Sequence, residues 1–149
     1  MEKQCLICER IEMIKQGKNP YFIKEFETSY AVLGDSQYFK GYCLLLCKLH
    51  KTELHELDKN FKSKFLEDMC LLAEAVYKTF KPKKLNYELL GNTDQHLHWH
   101  IFPRYENESN PNGPVWLIDK TIRNAKEYIP NEQERQMLIT EIKKNLRDF

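Results

Sequence analysis

His96-Leu97-His98-Trp99-His100-Ile101-Phe102 holds three of the chain's five histidines in strict alternation. In an extended strand, alternate residues share a face about 6.6 Å apart. The stretch therefore lines up three imidazoles on one side and Leu97, Trp99 and Ile101 on the other. The apolar side reads as the buried face of a strand. The histidine side needs another explanation, because an unpaired buried polar group costs about 1–3 kcal/mol and three on one face would need several partners. Imidazole, with an ordinary pKa of about 6.5, suits metal ligation or nucleophilic and acid/base chemistry near neutral pH. Spacing alone leaves both open.

The flanks of this stretch read as a mixed α and β domain. Leu85 to Leu90 is strand-like, Gly91-Asn92 is a turn signal, and His96 to Arg104 is the next strand, giving an antiparallel hairpin. Upstream, Gly41 opens YCLLLCKL, an apolar run too short for an ordinary helix and suited to a central strand covered on both faces. Tyr21 to Phe26 and Ser29 to Gly34 form a second hairpin, broken at Glu27 and Thr28.

Helical spacing recurs over residues 5–16, stopped by Gly17 and Pro20, and over 61–80, with Asp58 or Asn60 as cap and Pro82 beyond the end. Glu106 to Pro114 is a polar loop. After it, Ile118, Ile122, Ala125 and Ile129 again fall at helical spacing, and Asn131 with Glu134 resembles a capping pair for a final helix through Leu146. No linker or repeat interrupts the chain, so residues 1–149 read as one domain, with a core over about 5–118 and a helical extension over about 118–148.

Composition narrows the partners. At 149 residues, 42% hydrophobic and 30% charged, the chain is in the soluble globular range, and a chain of this size buries roughly 70% of its unfolded surface. With 23 Lys+Arg against 22 Asp+Glu, its net charge of +1 gives no overall attraction for nucleic acid or membrane, so a phosphate ligand must be held locally. Charges interrupt MEKQCLICERIEMIKQG, and no stretch approaches the ~18 apolar residues of a membrane span; the expected location is the cytoplasm. Five cysteines, an odd number with no secretion signal, read as reduced thiols. Cys5 and Cys8 form a C-x2-C pair of the kind that gives zinc two thiolates, and His50 with one triad histidine is available to complete four ligands. Two packed cysteines would explain the same pair.

Taken together, HLHWHIF followed by Pro103-Arg104, the opening CLIC, Asp35 after SYAVLG, Gly41, Lys48-Leu49-His50 and Gly91-Asn92 resemble the histidine triad (HIT) family of nucleotide hydrolases and transferases. The resemblance spans roughly residues 5–118. It implies a small α+β fold, an antiparallel sheet flanked by helices, and a homodimer. It also implies a nucleotide or dinucleoside polyphosphate substrate attacked at the α-phosphorus by the middle histidine, His98, with a nucleotidyl-histidine intermediate. His100 would contact the phosphate oxygens and assist the leaving group, its protonated form offsetting charge. A main-chain carbonyl from the neighbouring strand would fix the His98 tautomer. Asp35 would accept from ribose hydroxyls, Asn92 would donate to phosphate, and Gln95 lies beside the triad.

In zinc-containing members the metal is held by two Cys and two His, which carries over to Cys5, Cys8, His50 and His96, so that His96 serves both triad and a structural zinc. The sequence departs from the family at Cys47, Tyr42 and the short Gly91–His96 spacing. Cys47 and Tyr42 are expected to carry no chemistry, and Trp116 is expected in the core. Two alternatives stand beside this reading: a zinc-hydroxide hydrolase with all three triad histidines as ligands, and a nucleotide-binding module with incidental turnover.

Overall fold

The computed structural model describes residues 4–146. Cys5 caps the first helix, α1 (Leu6–Lys15), its sulfur accepting from the Cys8 N–H at 3.3 Å. Two short strands follow, β1 (Phe22–Glu25) and β2 (Ser29–Leu33), joined by the expected tight turn. The apolar run forms β3 (Cys43–Cys47). Asp58 caps the long helix α2 (Lys59–Phe80), its carboxylate accepting from the Phe61 N–H. Then come β4 (Lys84–Glu88), β5 (His98–Arg104), the four-residue α3 (Lys120–Arg123) and α4 (Glu132–Lys144), capped by Asn131 accepting from the Glu134 N–H.

All pairings are antiparallel, in the order β1-β2-β3-β5-β4, so the triad strand lies between β3 and the edge strand β4. Alternation divides the sheet into two faces. One face carries Ala31, Leu33, Leu45, Leu97 and Ile101 into the main core, closed by Phe65, Leu72 and Val76 of α2 and by Ile139, Ile142 and Leu146 at the C-terminal end. On the other face, Ile7 and Ile11 of α1 pack over Tyr30, Val32 and Leu46. His98 and His100 pair with Leu46 and Leu44 and share this second face.

The fold class is as expected: one α+β domain built on an antiparallel sheet with helices on both faces. The structure corrects three boundaries. β5 starts at His98, not His96, because the His96 N–H turns back to the Asp94 carbonyl and the Leu97 N–H goes to the Lys51 carbonyl. β4 ends at Glu88, leaving Leu89 and Leu90 outside the ladder. Residues 118–129 form no continuous helix: Asp119 caps α3 through the Thr121 N–H, Asn124 ends it, and Ile122 and Ile129 are exposed. Only Ile118 of that apolar series is buried. The final helix packs on the main core through Ile139 and Ile142, and residues 147–148 of the expected extension lie outside the described residues.

Candidate active site

His98 is 7% exposed, and its Nδ1 lies 2.6 Å from the main-chain carbonyl of His96. A carbonyl only accepts, so Nδ1 carries the proton and the neutral ring keeps its lone pair on Nε2. The orienting carbonyl thus comes from two residues earlier in the same chain and not, as expected, from the neighbouring strand. The neighbouring strand does offer a carbonyl, that of Cys47, but it accepts from His96 Nε2 at 2.7 Å.

That bond leaves His96 Nδ1 facing Cys5, Cys8 and His50, whose ligand atoms with it all lie within 4.8 Å of one another. The separations are 3.4 Å for Cys5 Sγ to His96 Nδ1, 3.4 Å for Cys8 Sγ to His50 Nδ1, 3.5 Å for Cys8 Sγ to His96 Nδ1, and 3.1 Å between the two nitrogens. A zinc tetrahedron with bonds of about 2.3 Å to sulfur and 2.0–2.1 Å to nitrogen has S–N edges of roughly 3.6 Å and an N–N edge of roughly 3.3 Å. These four separations come close to those edges. The Cys47 carbonyl completes the arrangement by fixing the His96 tautomer, the usual task of a metal site's outer partners. Burial, then the hydrogen bond and charge of Cys5, push the Cys8 thiol up to about 11, a shift that a cation bound among the four donors would oppose by stabilising the thiolate. Of the triad, only His96 belongs to this cluster among the described residues.

His100 is bound differently. Its Nδ1 lies 2.7 Å from the Tyr42 hydroxyl, and its ring is nearly parallel to those of Tyr42 and Phe102. Tyr42, expected to be chemically idle, therefore touches the triad; no local pattern could reveal this, since the contact joins residues far apart in sequence. Trp116 is likewise not in the core. It is 44% exposed and stands edge-on to His100 at 6.2 Å, its indole N–H donating to Glu88, which pairs opposite His100 across β4 and β5. The loop before it is held by Arg104, 3% exposed, which donates to Glu108, Asn86 and the Asn110 carbonyl.

Beside the triad, between α1 and the β2–β3 face, lies a cavity of about 240 Å³ with Leu6, Ile7, Val32, Leu44 and Leu46 among its walls. Asp35 stands at this cavity, exposed and 3.8 Å from Arg10. Gln95 lies on the side of the Cys/His cluster, with Cys5 and His50 around a separate cavity, and Asn92 is exposed in the 91–94 turn. His55 is exposed as well.

The site thus combines a buried, pre-oriented imidazole, a cavity on the same sheet face and a Cys/His donor cluster within one small α+β domain. The HIT domain family model matches residues 16–107, and the chain belongs to that family. It is 24% identical over 110 residues, covering 73% of this chain and 68% of the relative, to the protein named adenosine 5'-monophosphoramidase HNT1 of Saccharomyces cerevisiae. In structure it resembles a histidine triad protein from Sinorhizobium meliloti, with TM-score 0.74, 22% identity and coverage of 91% of this chain and 94% of that one. It also resembles a Zn-bound histidine triad family protein from Mycobacterium smegmatis, with TM-score 0.63, 18% identity and coverage of 95% and 94%. Among the described residues no helix is long and apolar enough to cross a membrane.

Burial, and secondarily His98, push the His100 imidazole down to about 4. The unfolded chain takes up that proton near pH 6.5, so in this range unfolding binds a proton that the native state refuses. Stability should therefore fall as pH drops from about 6.5 towards 4, by up to one proton's linkage slope. Urea unfolding midpoints across this range should show a shallower fall in His100→Gln; an unaltered slope in that variant would refute the assignment.

Proposed function

We propose that this protein is a nucleotide hydrolase or transferase acting at the α-phosphorus of a nucleotide conjugate through a nucleotidyl-His98 intermediate. The observation that carries the reading is the His98 Nδ1 to His96 carbonyl bond, which leaves Nε2 as the attacking atom on the sheet face that also bears the cavity of about 240 Å³. The naming of the yeast relative as a phosphoramidase supports the same class of chemistry.

In the first step His98 Nε2 attacks the α-phosphorus, the P–N or P–O bond to the leaving group breaks, and that group departs with the electron pair and takes up a proton. Water, or another acceptor, then displaces the histidine and regenerates the neutral ring. The cavity's apolar walls receive the base, Asp35 accepts from ribose hydroxyls, and His100 faces the phosphate oxygens and assists the leaving group. Asn92 and Gln95 remain candidates for phosphate contacts from the 91–95 segment. Nucleoside phosphoramidates and dinucleoside polyphosphates both have the required α-phosphorus.

We propose further that Cys5, Cys8, His50 and His96 hold a structural zinc, in line with the donor spacing and with the Zn-bound mycobacterial neighbour. Four protein ligands leave no open position for water, so the ion's contribution is to tie the start of α1 to the triad segment.

A homodimer is proposed from the free edge of β4. Beside it, Met69, Cys70, Tyr77, Leu85 and Tyr87 line an open groove between α2 and that edge. A second copy related by a two-fold axis would cover the strand edge and the exposed aromatic rings together.

Rapid quench with labelled nucleotide conjugates should trap an acid-labile, alkali-stable adduct on His98, and His98→Ala should lose both the adduct and about 10³-fold or more in turnover. Turnover without any adduct would refute the covalent route. Metal analysis should find one zinc per chain, retained in His98→Ala and lost in Cys8→Ser; zinc that survives Cys8→Ser but leaves with His98 would instead place the ion at the triad. Sedimentation should give a dimer that Tyr87→Lys converts to monomer, and a monomeric native protein would rule the interface out.

A further inference from the structure

Tyr42 stands where the sequence departs from its family, and its surroundings are built around it. Its ring stacks on Phe102 at 4.1 Å and 9°, and a Cβ on Gly34 would lie 2.2 Å from the phenol ring, so only glycine there leaves the ring its place. The hydroxyl ends 2.7 Å from His100 Nδ1.

Tyr42 is half-buried against Phe102, and a phenol in such a place is best satisfied when its O–H finds an acceptor. Burial holds Tyr42 above its ordinary range, so it stays protonated. The remaining neighbours of the His100 ring named above are Phe102, Trp116 and His98, with Glu88 engaged by the Trp116 indole. If Nδ1 donated to Tyr42 instead, the phenol proton would be left to find another acceptor. The favourable arrangement has Tyr42 donating to Nδ1 and the imidazole proton on Nε2, the nitrogen turned away from Tyr42.

We propose that Tyr42 is a positioning residue that fixes His100 as its Nε2–H tautomer, so that the third triad histidine serves the reaction as an aimed hydrogen-bond donor. The proposal rests on the nucleotidyl-transfer reading for what that donor meets, namely the oxygens of the reacting phosphate. The tautomer itself is a property of the free protein. The second and third rings of the triad are then set by opposite devices. His98 donates from Nδ1 to a carbonyl and offers a lone pair, whereas His100 accepts at Nδ1 from a phenol and offers a proton. Neighbouring histidines of one strand are thereby given complementary roles.

Long-range ¹H–¹⁵N spectra of histidine-labelled protein, without ligand, should show His100 with Nδ1 unprotonated and Nε2 protonated. Tyr42→Phe keeps the ring and its stacking but lacks the donor. It should give a mixture of tautomers at His100 and lower kcat about tenfold, the equivalent of one lost hydrogen bond, while KM for the nucleotide conjugate stays within about twofold. Native His100 carrying its proton on Nδ1 would overturn the proposal. So would a Tyr42→Phe protein with the native tautomer, or one with unchanged kcat. The spectra need no substrate, so absence of a His98 adduct would count against the functional reading and leave the tautomer result standing.

Discussion

His96 is held at three points, and the site depends on all of them. Its Nε2 is fixed on the Cys47 carbonyl, its Nδ1 lies among the cysteine and histidine donors, and its own carbonyl receives the proton of His98. The residue that ends the turn before β5 therefore sets both the donor cluster and the tautomer of His98. At 1% exposure it has little room to move, and a shift in either anchor would be passed to His98 through two residues of backbone.

The sheet keeps the chemistry apart from the packing. Leu97, just ahead of β5, and Ile101 within it enter the core beneath α2, while His98 and His100 are presented on the opposite side, where α1 and the cavity lie. Alternation makes this possible: one extended segment serves a close-packed interior and a reactive surface without compromise between them. The buried Arg104 continues the same face and gathers the loop after it, which brings Trp116 to the edge of His100.

Features that depend on short-range pattern could be read from the sequence. The alternating histidines marked β5 and its faces, Asp58 and Asn131 marked the helix starts, and Cys5 with Cys8 marked a donor pair that the structure brings to His50 and His96. Features that depend on a neighbour across the sheet could not. Tyr42 reaches His100 from the chain just ahead of β3, Trp116 arrives from beyond a folded-back loop, and the carbonyl that serves His98 is released only because the chain turns at His96 before pairing begins. The regular spacing of Ile118, Ile122 and Ile129 misled for a related reason: the segment runs over the surface and has no continuous apolar surface to lie against.

The strand order has a consequence for how the molecule assembles. The hairpin of β1 and β2 and the addition of β3 involve near neighbours, but β5 reaches β3 only after the whole of residues 48–97, α2 included, has been brought round. Loop closure of that kind is entropically slow and is repaid only when the ladder forms. The triad histidines therefore reach the β2–β3 face only through one of the longest-range pairings of the fold, and the site's assembly is tied to closure of that loop.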